Sequence, residues 1–484
     1  MSKPDEDFSA SVNQPVFDLI ARAAEKIGQP AFVIGGWVRD LLLERPSKDI
    51  DIVTLGSGIE LANAVAEESD EIKGVNTFKN FGTAMLRFQD WEVEFVGARK
   101  ESYSRDSRKP IVEDGTLEDD QKRRDFTINA LSIGLNRTDR GKLYDPFGGL
   151  KDLQNEIIKT PLDPERTFTD DPLRMLRAVR FASQLNFQIH HETYAAINEN
   201  KHRIEILSRE RIADELHKIM ASVQPSVGLH LLYETGIMDL ILPEITALRG
   251  VDEIEGQRHK DNFFHTLQVV DNISRKTDDV WLRYAALFHD IGKPRSKHFH
   301  PKIGWTFHGH EFLGSKMVPK IFKRLKFPLD DKMKFVKKMV AMSSRPVDLT
   351  DKNVTDSGIR RLLFDAGDDV DKLMTLCEAD ITTKSEKRKR RYLNNFKHVR
   401  KRLREVEEKD HVRNFQPPVD GREIMDRFGL KPSREIGELK NAVKEAILEG
   451  EIKNDHDEAL VFIEKLAAEK GLMKKNTDEE SDKK

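Results

Sequence analysis

The sequence predicts an α+β protein in which a head with a small mixed sheet is followed by all-helical segments. Short β-like runs alternate with loops in the first third of the chain, and this pattern indicates one sheet. From Pro161 onward the apolar residues recur at helical spacing, as in Leu173, Leu176 and Val179. The predicted strands are Ala31–Gly35, Asp49–Thr54, Thr83–Phe88, Glu92–Val96 and Ala130–Gly134.

Length and composition limit the class of protein. The 484 residues are too many for one ordinary core and predict about three domains. Hydrophobic residues make up 38% and charged residues 34% of the chain, as is typical of a soluble globular protein. The single cysteine, Cys377, excludes a disulfide framework and a cysteine-based zinc site. Because the sequence has neither a signal-peptide pattern nor an apolar run of membrane-spanning length, we expect a cytoplasmic protein without a membrane partner.

Two acids on one predicted strand are the most informative feature. Phe32-Val-Ile-Gly-Gly-Trp-Val-Arg-Asp40 predicts a strand that ends in a double glycine and continues into a short helix. In the next strand, alternation places Asp49 and Asp51 on the same face. Such paired anions need a cation between them, and paired divalent metals suit in-line nucleotidyl transfer. Gly35 and Gly36 would let backbone amides approach a triphosphate, because no Cβ intervenes.

Further polar groups follow within the predicted head. Glu94 could supply a third carboxylate to the metals, or it could be an exposed strand acid. The run Arg123-Arg-Asp-Phe-Thr-Ile-Asn129 combines guanidiniums with an acid and an amide. Arginine forks suit phosphate oxygens, and an Asp or Asn can hydrogen-bond a ribose hydroxyl. The alternative for this run is a salt-bridged turn that enters a strand.

The helix that follows Pro172 supports two interpretations. Asp171 before Pro172 is typical of an N-cap with proline at the first helical position. Positions three apart also lie on one helix face, so Asp171 and Arg174 could face a nucleobase together. A carboxylate accepts from the exocyclic amine of cytosine or adenine, and a guanidinium donates to the adjacent ring nitrogen; uracil and guanine would leave both side chains unpaired. The pair would then act as a protein template for CTP and ATP.

Most of the histidines lie in the middle of the chain, in apolar helical contexts. Imidazoles and carboxylates together suit a transition metal or magnesium. His308 and His310 could contact a second metal or a phosphate, or they could belong to a simple polar loop. The segments concerned are Lys260-Asp-Asn-Phe-Phe-His-Thr266, Ala286-Leu-Phe-His-Asp-Ile-Gly-Lys-Pro294, Phe307-His-Gly-His-Glu311 and Glu378-Ala-Asp380.

Together, the head motifs resemble those of class II tRNA nucleotidyltransferases, the CCA-adding enzymes, and of the related bacterial poly(A) polymerases in the DNA polymerase β superfamily. The resemblance covers residues 31–220 and departs from the family at Asp170, where a glutamate is usual. Residues 99–115 resemble the family's flexible loop. The motifs are Gly-Gly-x-x-Arg-Asp with Asp-x-Asp, Arg123-Arg-Asp-Phe-Thr-Ile-Asn-Ala130, Asp170-Asp-Pro-Leu-Arg-Met-Leu-Arg177 and Arg209-Glu-Arg-Ile-Ala-Asp-Glu215.

This resemblance implies a polymerase β-like nucleotidyltransferase head. It implies that Asp49 and Asp51 hold catalytic Mg²⁺, and we expect Glu94 to assist them. It further implies that Arg124, Asp125 and Asn129 contact the incoming nucleotide, and it favours the template role of the Asp171–Arg174 pair. We also assign Arg39 and Arg177, from the same motifs, to nucleotide binding.

The histidine segments resemble the HD metal-dependent phosphohydrolases. That resemblance implies His265, His289, Asp290 and Asp380 as ligands of a divalent metal whose identity the sequence leaves open. The basic run from 384 to 404 favours contact with RNA phosphates. Residues 417–437 resemble the small C-terminal segment with which the nucleotidyltransferase family holds the elbow of tRNA.

The sequence therefore predicts a CCA-adding tRNA nucleotidyltransferase that adds C, C and A to the 3′ end of tRNA from CTP and ATP. The alternatives are a poly(A) polymerase, an enzyme that adds only A, and an HD phosphohydrolase acting on RNA ends. The oligomeric state stays open. The predicted segments are a helical lead (1–30), the head (31–155), a helical neck with the template helix and an RNA-binding body (156–250), the HD domain (251–395), a helical tRNA-binding tail (396–473) and a disordered end (474–484).

Overall fold

A computed structural model of the protein describes residues 7–79, 82–102, 111–251, 253–254, 257–258, 261–350 and 354–472. The chain divides into two compact units, Met1–Pro243 and Glu244–Lys484. Residues 103–110 of the loop predicted at 99–115, Lys260 and the predicted disordered end at 474–484 lie outside the described residues.

The predicted mixed sheet lies in the first unit. Across the sheet the strands follow the order β3-β4-β5-β2-β1-β8-β9, with β2 parallel to β5 and every other neighbouring pair antiparallel. The strands of this unit are β1 (Ala31–Ile34), β2 (Asp49–Thr54), β3 (Val75–Phe78), β4 (Thr83–Phe88), β5 (Trp91–Gly97), β6 (Arg99–Ser102), β7 (Ile111–Asp114), β8 (Ser132–Gly134), β9 (Leu143–Tyr144), β10 (Ile157–Ile158) and β11 (Gln188–Ile189).

One face of this sheet is apolar and the other carries the acids. Ile50 and Ile52 of β2, with Val93 and Phe95 of β5, are buried in a core completed by helices packed on that face. Because side chains alternate along a strand, the residues between them project to the opposite face. The parallel register pairs Asp51 of β2 with Glu94 of β5, so the alternation that builds the core also gathers carboxylates on the other side.

Helices cover the apolar face of the sheet and form the rest of the first unit. The first helix begins at Pro15, where a missing N–H costs nothing. The helices are α1 (Pro15–Lys26), α2 (Gly36–Leu42), α3 (Gly58–Glu67), α4 (Leu117–Lys122), α5 (Gly149–Gln154), α6 (Pro164–Asp170), α7 (Leu173–Leu185), α8 (His191–Asn200), α9 (Arg209–Met220), α10 (Pro225–Glu234) and α11 (Ile237–Ile241), with α12 (Pro243–Thr246) at the boundary between the units.

The second unit is helical apart from short strand pairs. Its core includes the fully buried rings of Phe263, Tyr284, Phe288 and Phe322. The helices are α13 (Asn262–Ser274), α14 (Val280–Phe288), α15 (Lys293–Ser296), α16 (His310–Leu325), α17 (Asp331–Met342), α18 (Arg345–Asp348), α19 (Asp356–Ala366), α20 (Val370–Ala379), α21 (Glu386–Asp410), α22 (Gly421–Phe428), α23 (Arg434–Glu449) and α24 (His456–Glu469). The strands are β12 (Glu253–Ile254), β13 (Gln257–Arg258), β14 (His298–His300) and β15 (Gly304–Thr306).

The predicted α+β class is confirmed, and each predicted strand overlaps an observed one. The edge strands β3 and β9 were not predicted from the sequence. Strand β3 is largely exposed and β9 has only two residues, so neither has the apolar alternation that marks the inner strands. The predicted segment boundaries stay predictions. No helix among the described residues is long and apolar enough to cross a membrane.

Candidate functional site

The first candidate site is the acidic face of the sheet. Asp49 and Asp51 lie two residues apart on β2, and Glu94 is the register partner of Asp51. Burial raises the pKa of Asp51; Arg124 opposes the shift, and the charge of Asp49 adds to it. Burial likewise raises the pKa of Glu94, with the charge of Asp51 contributing next. The fold thus holds carboxylates together at an energetic cost that a divalent cation would relieve.

Gly35 allows a close approach between the sheet and an arginine. Its φ is +83°, and a Cβ at this position would lie 2.8 Å from Nη1 of Arg124 and 3.2 Å from Oδ2 of Asp51. Its amide donates to the carbonyl of Leu131 at 3.1 Å, so this N–H is engaged within the protein. Gly35 therefore provides space for Arg124 beside Asp51, and its predicted role beside a triphosphate stays a prediction. A Cβ at Gly36 would meet only the Arg39 side chain, at an ordinary 3.7 Å.

A buried acid that the sequence analysis did not single out holds both arginines of the Arg-Arg pair. Asp120 of α4 is fully buried. It accepts from Nε of Arg123 at 2.8 Å and from Nε of Arg124 at 3.3 Å. In the sequence Asp120 follows two other acids and looks like a surface residue of an acidic helix start. Its burial depends on how α4 packs, which local pattern does not show.

A second network links the glycine motif to α7. Arg39 donates from Nη1 to Oδ1 of Asn129 at 2.8 Å, and its Nε and Nη2 bind Asp40 at 2.9 and 3.0 Å. Asn129 in turn donates to Oδ1 of Asp125 at 3.0 Å. Nε and Nη2 of Arg177, on α7, both lie 2.6 Å from Oδ2 of Asp125. The predicted residues Arg39, Asn129 and Asp125 therefore form a chain that ends at Arg177.

The carboxylate of Asp125 is engaged in hydrogen bonds of this network. Burial alone would raise its pKa, but Arg177 and the Asn129 amide lower it to about 2. Its oxygens accept from Asn129, from Arg177 and from the backbone N–H of Phe126 at 2.9 Å. Only 6% of the residue is exposed. Its contacts are those of a residue that orients Arg177, and direct contact with a ribose stays a prediction.

The ring of Phe181 lies close to three guanidinium groups, one from α2 and two from α7. The guanidinium carbons of Arg180, Arg39 and Arg177 lie 4.1, 5.0 and 5.4 Å from the centre of its ring. Arg180 also forms a buried ion pair with Glu215 of α9, at 2.7 Å between Nε and Oε2. Cations over an aromatic face are attracted by its quadrupole. The ring thus stabilises the position of α7 against α2 of the head.

A cavity of about 280 Å³ lies where these networks meet. Of the predicted nucleotide-binding residues, Arg124, Asp125, Asp171, Arg174 and Arg177 line it. Leu173 and two arginines that were not assigned a role, Arg123 and Arg211, complete the lining. Arg211 lies in the quoted Arg-Glu-Arg motif at the start of α9, but only the fold shows that it faces this cavity. With five arginines around it, the cavity suits the phosphates of a nucleotide.

The start of α7 has the predicted cap. Oδ1 of Asp171 accepts from the backbone N–H of Leu173 at 3.1 Å, and Pro172 has helical dihedrals. Arg174 donates from Nη2 to the carbonyl of Arg123. The cap and the template interpretations are compatible, because the capping residue also lines the cavity.

The second candidate site lies in the helical unit, where the four predicted HD residues meet. Nε2 of His265 is 2.7 Å from Oδ1 of Asp380 and 3.8 Å from Oδ2 of Asp290. Nε2 of His289 is 3.3 Å from Oδ2 of Asp290 and 3.6 Å from Oδ1 of Asp380. Ligand atoms of His265, His289 and Asp290 all lie within 4.8 Å of one another. Helices α13 and α14 and the end of α20 thus bring together residues more than a hundred positions apart.

The hydrogen bond at Nδ1 of His289 leaves Nε2 of the same ring available to a metal. Nδ1 of His289 lies 2.7 Å from the carbonyl of Ala286, which can only accept, so Nδ1 carries the proton of a neutral ring. Nε2 is buried between two carboxylates, 3.3 Å from Oδ2 of Asp290 and 3.6 Å from Oδ1 of Asp380. Burial lowers the pKa of His289, but Asp290 and Asp380 outweigh it and raise the pKa to about 10. A divalent cation would replace that proton, and the backbone carbonyl would keep the ring oriented.

Asp290 also faces a third imidazole. Nε2 of His310 lies 3.5 Å from Oδ1 of Asp290, while Nδ1 of His310 lies 2.8 Å from the carbonyl of Phe307. Lys293 binds Oδ2 of Asp290 at 2.7 Å. His308 is exposed. The two histidines, which the sequence analysis treated together, therefore differ: His310 adjoins the cluster and His308 lies at the surface.

Replacing His289 with glutamine should remove the divalent metal that we expect in this site. Loss of a supporting contact to a metal ligand typically lowers affinity about 10–100-fold, and loss of a ligand should cost no less. Metal analysis after dialysis against a metal buffer would measure this, with His308→Ala as the matched control. Equal metal content in wild-type protein and His289→Gln would contradict the assignment.

Comparisons with known proteins match three family models to successive parts of the chain. The model of the poly A polymerase head domain matches residues 31–159, which contain the acidic face and the Arg-Arg-Asp motif. The model described as a probable RNA and SrmB-binding site of polymerase A matches residues 186–248, and the HD domain model matches residues 262–384.

Two tRNA nucleotidyltransferases are similar to this protein over much of the chain. An A-adding tRNA nucleotidyltransferase of Deinococcus radiodurans is 32% identical over 367 residues, which are 73% of this chain and 80% of that protein. One of Aquifex aeolicus is 33% identical over 304 residues, 59% of this chain and 35% of that protein. The Thermotoga maritima CCA-adding enzyme, solved with tRNA, shares the fold with a TM-score of 0.60 at 19% identity, over 96% of this chain and 100% of that one. The chain therefore belongs to the tRNA nucleotidyltransferase family, and it is a nucleotidyltransferase with a poly(A) polymerase-type head and a fused HD domain.

Proposed function

We propose that this chain adds C, C and A in turn to the 3′ end of tRNA, with CTP and ATP as substrates. The observation that carries the proposal is the cavity in which Asp171 and Arg174 lie beside Arg124 and Arg177. A carboxylate and a guanidinium at this spacing match the amine and ring nitrogen that cytosine and adenine share. The arginines around the pair supply positive charge for the triphosphate.

In this proposal the acidic face holds the metals. Asp49, Asp51 and Glu94 would hold two Mg²⁺ ions, which lower the pKa of the attacking hydroxyl and stabilise the leaving phosphates when bound. The 3′ oxygen of the tRNA forms a bond to the α-phosphorus, the bond to the β-phosphate oxygen breaks, and pyrophosphate leaves. The hydroxyl proton departs to solvent or to a nearby carboxylate.

The arginines position the nucleotide for that step. Arg124 lies beside Asp51 and is held by Asp120, so it can bind a phosphate close to the acidic face. Asp125, which also lines the cavity, orients Arg177 through their hydrogen bond. Arg39 and Asn129 would act through Asp125, because Arg39 donates a hydrogen bond to Asn129 and Asn129 donates one to Asp125. We therefore expect Asp125, Asn129 and Arg39 to act as positioning residues for a nucleotide bound by Arg124 and Arg177.

Addition of A alone is the second candidate. Both curated relatives described above are named A-adding tRNA nucleotidyltransferases, and one is similar over most of its length. An A-adding enzyme would use the same cavity but would require a tRNA that already ends in CC. The loop predicted at 99–115, which by resemblance affects the switch to A addition, includes residues 103–110, which lie outside the described residues.

Primer extension separates these candidates. The assay supplies tRNA transcripts that end before C, after CC or after CCA, with CTP, ATP or both, and Mg²⁺. Two C residues followed by one A and then arrest are expected. Extension of only the CC-ending transcript would identify an A-adding enzyme, and long A tails would identify a poly(A) polymerase. Failure to extend any transcript would contradict the proposal.

We further propose that the HD site binds a divalent metal and hydrolyses phosphate esters at RNA ends. The tight cluster of His265, His289 and Asp290 supports metal binding, and Lys293 next to Asp290 could offset phosphate charge. Phosphate release from RNA that ends in a 3′ phosphate or a 2′,3′-cyclic phosphate, with each of several divalent metals, would test it. Release that persists in His289→Gln would contradict this assignment.

A further inference from the structure

The basic run from 384 to 404 divides into two parts with different surroundings. In its second part, Arg400 binds Glu378 at 2.7 Å and Asp371 at 3.0 Å, and Arg402 pairs with Asp356. These cations are neutralised within the protein and help to hold α21 on the core. The buried side chains of this helix, Phe396, Val399, Leu403 and Val406, all lie in or beside this second part.

The first part, residues 384–392, is here called the basic arm. All nine residues are exposed, so the beginning of α21 extends beyond the packed part of the helix. The arm contains six cations and one acid, Glu386. No ion pair to a carboxylate is found for Lys387, Arg388, Lys389, Arg390 or Arg391 within the described parts of the chain.

This charge pattern is unfavourable for an isolated helix. The N-terminal end of a helix is the positive end of its dipole and favours acids over bases. Like charges four apart, such as Lys387 and Arg391, repel on one helix face. An anionic partner would convert both effects into attraction. A feature that conflicts with local rules without an internal compensation is a candidate for function.

The arm begins close to the HD site in the same unit. Asp380 is a predicted metal ligand, and Oγ1 of Thr382 lies 2.9 Å from Nδ1 of His265. Lys387 follows Asp380 by seven positions, so their Cα atoms lie within about 25 Å of each other, the reach of an extended chain. An RNA strand bound along the arm could therefore extend to the metal cluster.

The arm also offers an aromatic surface. Tyr392 is 38% exposed, and the guanidinium of Arg391 lies 5.2 Å from the centre of its ring. Cations that follow a phosphate backbone, combined with an exposed aromatic ring on which a base can stack, are typical of surfaces that bind single-stranded nucleic acid.

We propose that the basic arm is an RNA-binding surface that holds the backbone phosphates of an RNA strand beside the HD metal site. The proposal rests on the proposed function for its partner, the acceptor end of tRNA. The arm would supply affinity without sequence preference, since phosphate contacts position a strand and carry no base information.

Salt-dependent binding tests the arm. The variant replaces Arg388, Arg390 and Arg391 with glutamine, and the control replaces Lys332, Lys334 and Lys337 of α17, which are exposed in the same unit. Fluorescence anisotropy with a labelled tRNA transcript would give Kd across a salt series. We expect the arm variant to bind about tenfold more weakly at low salt. The slope of the logarithm of the binding constant against the logarithm of the salt concentration should be shallower by about two to three. Each lost phosphate contact removes about 0.7–0.9 from this slope.

The control should keep the wild-type affinity and slope. Equal slopes for the wild type and the arm variant, or an equal loss in the control, would overturn the proposal. The proposal would also be overturned if the arm bound vesicles of anionic lipid while the arm variant kept the wild-type affinity for tRNA. Nucleotide addition by the wild type tests the proposed function separately. A protein that adds no nucleotide can still show a salt dependence of RNA binding that differs between the wild type and the arm variant.

Crosslinking tests the position of the bound strand. A tRNA transcript with thiouridine near its 3′ end would be bound to the 484-residue chain and irradiated, and the crosslinked peptides would be mapped. We expect crosslinks to the peptide with Tyr392 and to peptides from α13 or α16, which carry His265 and His310. Crosslinks confined to the head, or equally strong crosslinks in the arm variant, would overturn the placement beside the HD site.

Discussion

Asp51→Asn should abolish nucleotide addition and leave the fold intact. Asparagine keeps the shape of the side chain but removes the charge with which Asp51 would hold metal beside Asp49 and Glu94. Metal stabilisation of a phosphoryl transition state contributes several kcal/mol, and each 1.36 kcal/mol is a factor of ten in rate. A loss of about 4 kcal/mol then lowers the rate of addition about 10³-fold.

The same substitution should not lower stability measured in the presence of a chelator. Burial, with the charge of Asp49, raises the pKa of Asp51 against the pull of Arg124. A carboxyl group whose pKa is raised in the folded state destabilises that state as the pH rises through this pKa, so ionised Asp51 costs stability at neutral pH. The neutral amide removes this cost. We therefore expect an unchanged or higher Tm for Asp51→Asn without metal.

Single-turnover extension of a CC-ending tRNA with ATP would measure the effect, and Asp90→Asn is the matched control. Asp90 lies between β4 and β5 with 89% of its side chain exposed, and its ion pair with Lys48 is long, at 3.7 Å. Its replacement should leave both the rate and the Tm unchanged. Addition at wild-type rates by Asp51→Asn would contradict the two-metal assignment.

The acidic face could be predicted because it depends on one short-range rule. Alternation along a strand places Asp49 and Asp51 together whatever the sheet topology. The pairing of Glu94 with Asp51 requires that β2 lie parallel to β5, and β5 is distant from β2 in the sequence. The sequence therefore left Glu94 open between a metal ligand and an exposed acid, whereas the register places it beside Asp51.

Residues that act through long-range packing were missed. Asp120 appears in the sequence as one acid among several, yet it is fully buried beneath Arg123 and Arg124. The buried pair between Arg180 and Glu215 joins α7 to α9 across thirty-five positions. Periodicity predicts which helix face is apolar, but it does not show which distant charge a buried arginine meets.

The roles of predicted residues also depend on the partners that the fold supplies. Contact of Asp125 with the incoming nucleotide stays a prediction, and the fold shows that its oxygens accept from Arg177, Asn129 and a backbone amide. In the basic run, Arg400 is neutralised by two acids whereas Arg390 has no described carboxylate partner. Composition alone cannot separate these cases, because both residues lie in the same charged stretch.

Arg174→Ala should change which nucleotides the enzyme accepts. The guanidinium faces the cavity from the first turn of α7, three residues after Asp171. For CTP and ATP its loss leaves a ring nitrogen unpaired, at a cost of about 1–3 kcal/mol. That cost lowers kcat/KM about 5- to 160-fold. UTP and GTP gain nothing from Arg174 in the wild type, so the preference for CTP and ATP should fall by the same factor.

The ratio of kcat/KM values separates a template from a structural arginine. Arg211→Ala removes another cation from the lining of the same cavity, and we expect it to weaken all four nucleotides alike. Asp171→Asn keeps an oxygen that can accept from the N–H of Leu173, so it should preserve the helix cap while changing the preference. If Arg174→Ala lowered activity with all four nucleotides equally, α7 would serve only to shape the cavity, and selection of the base would lie elsewhere in the head.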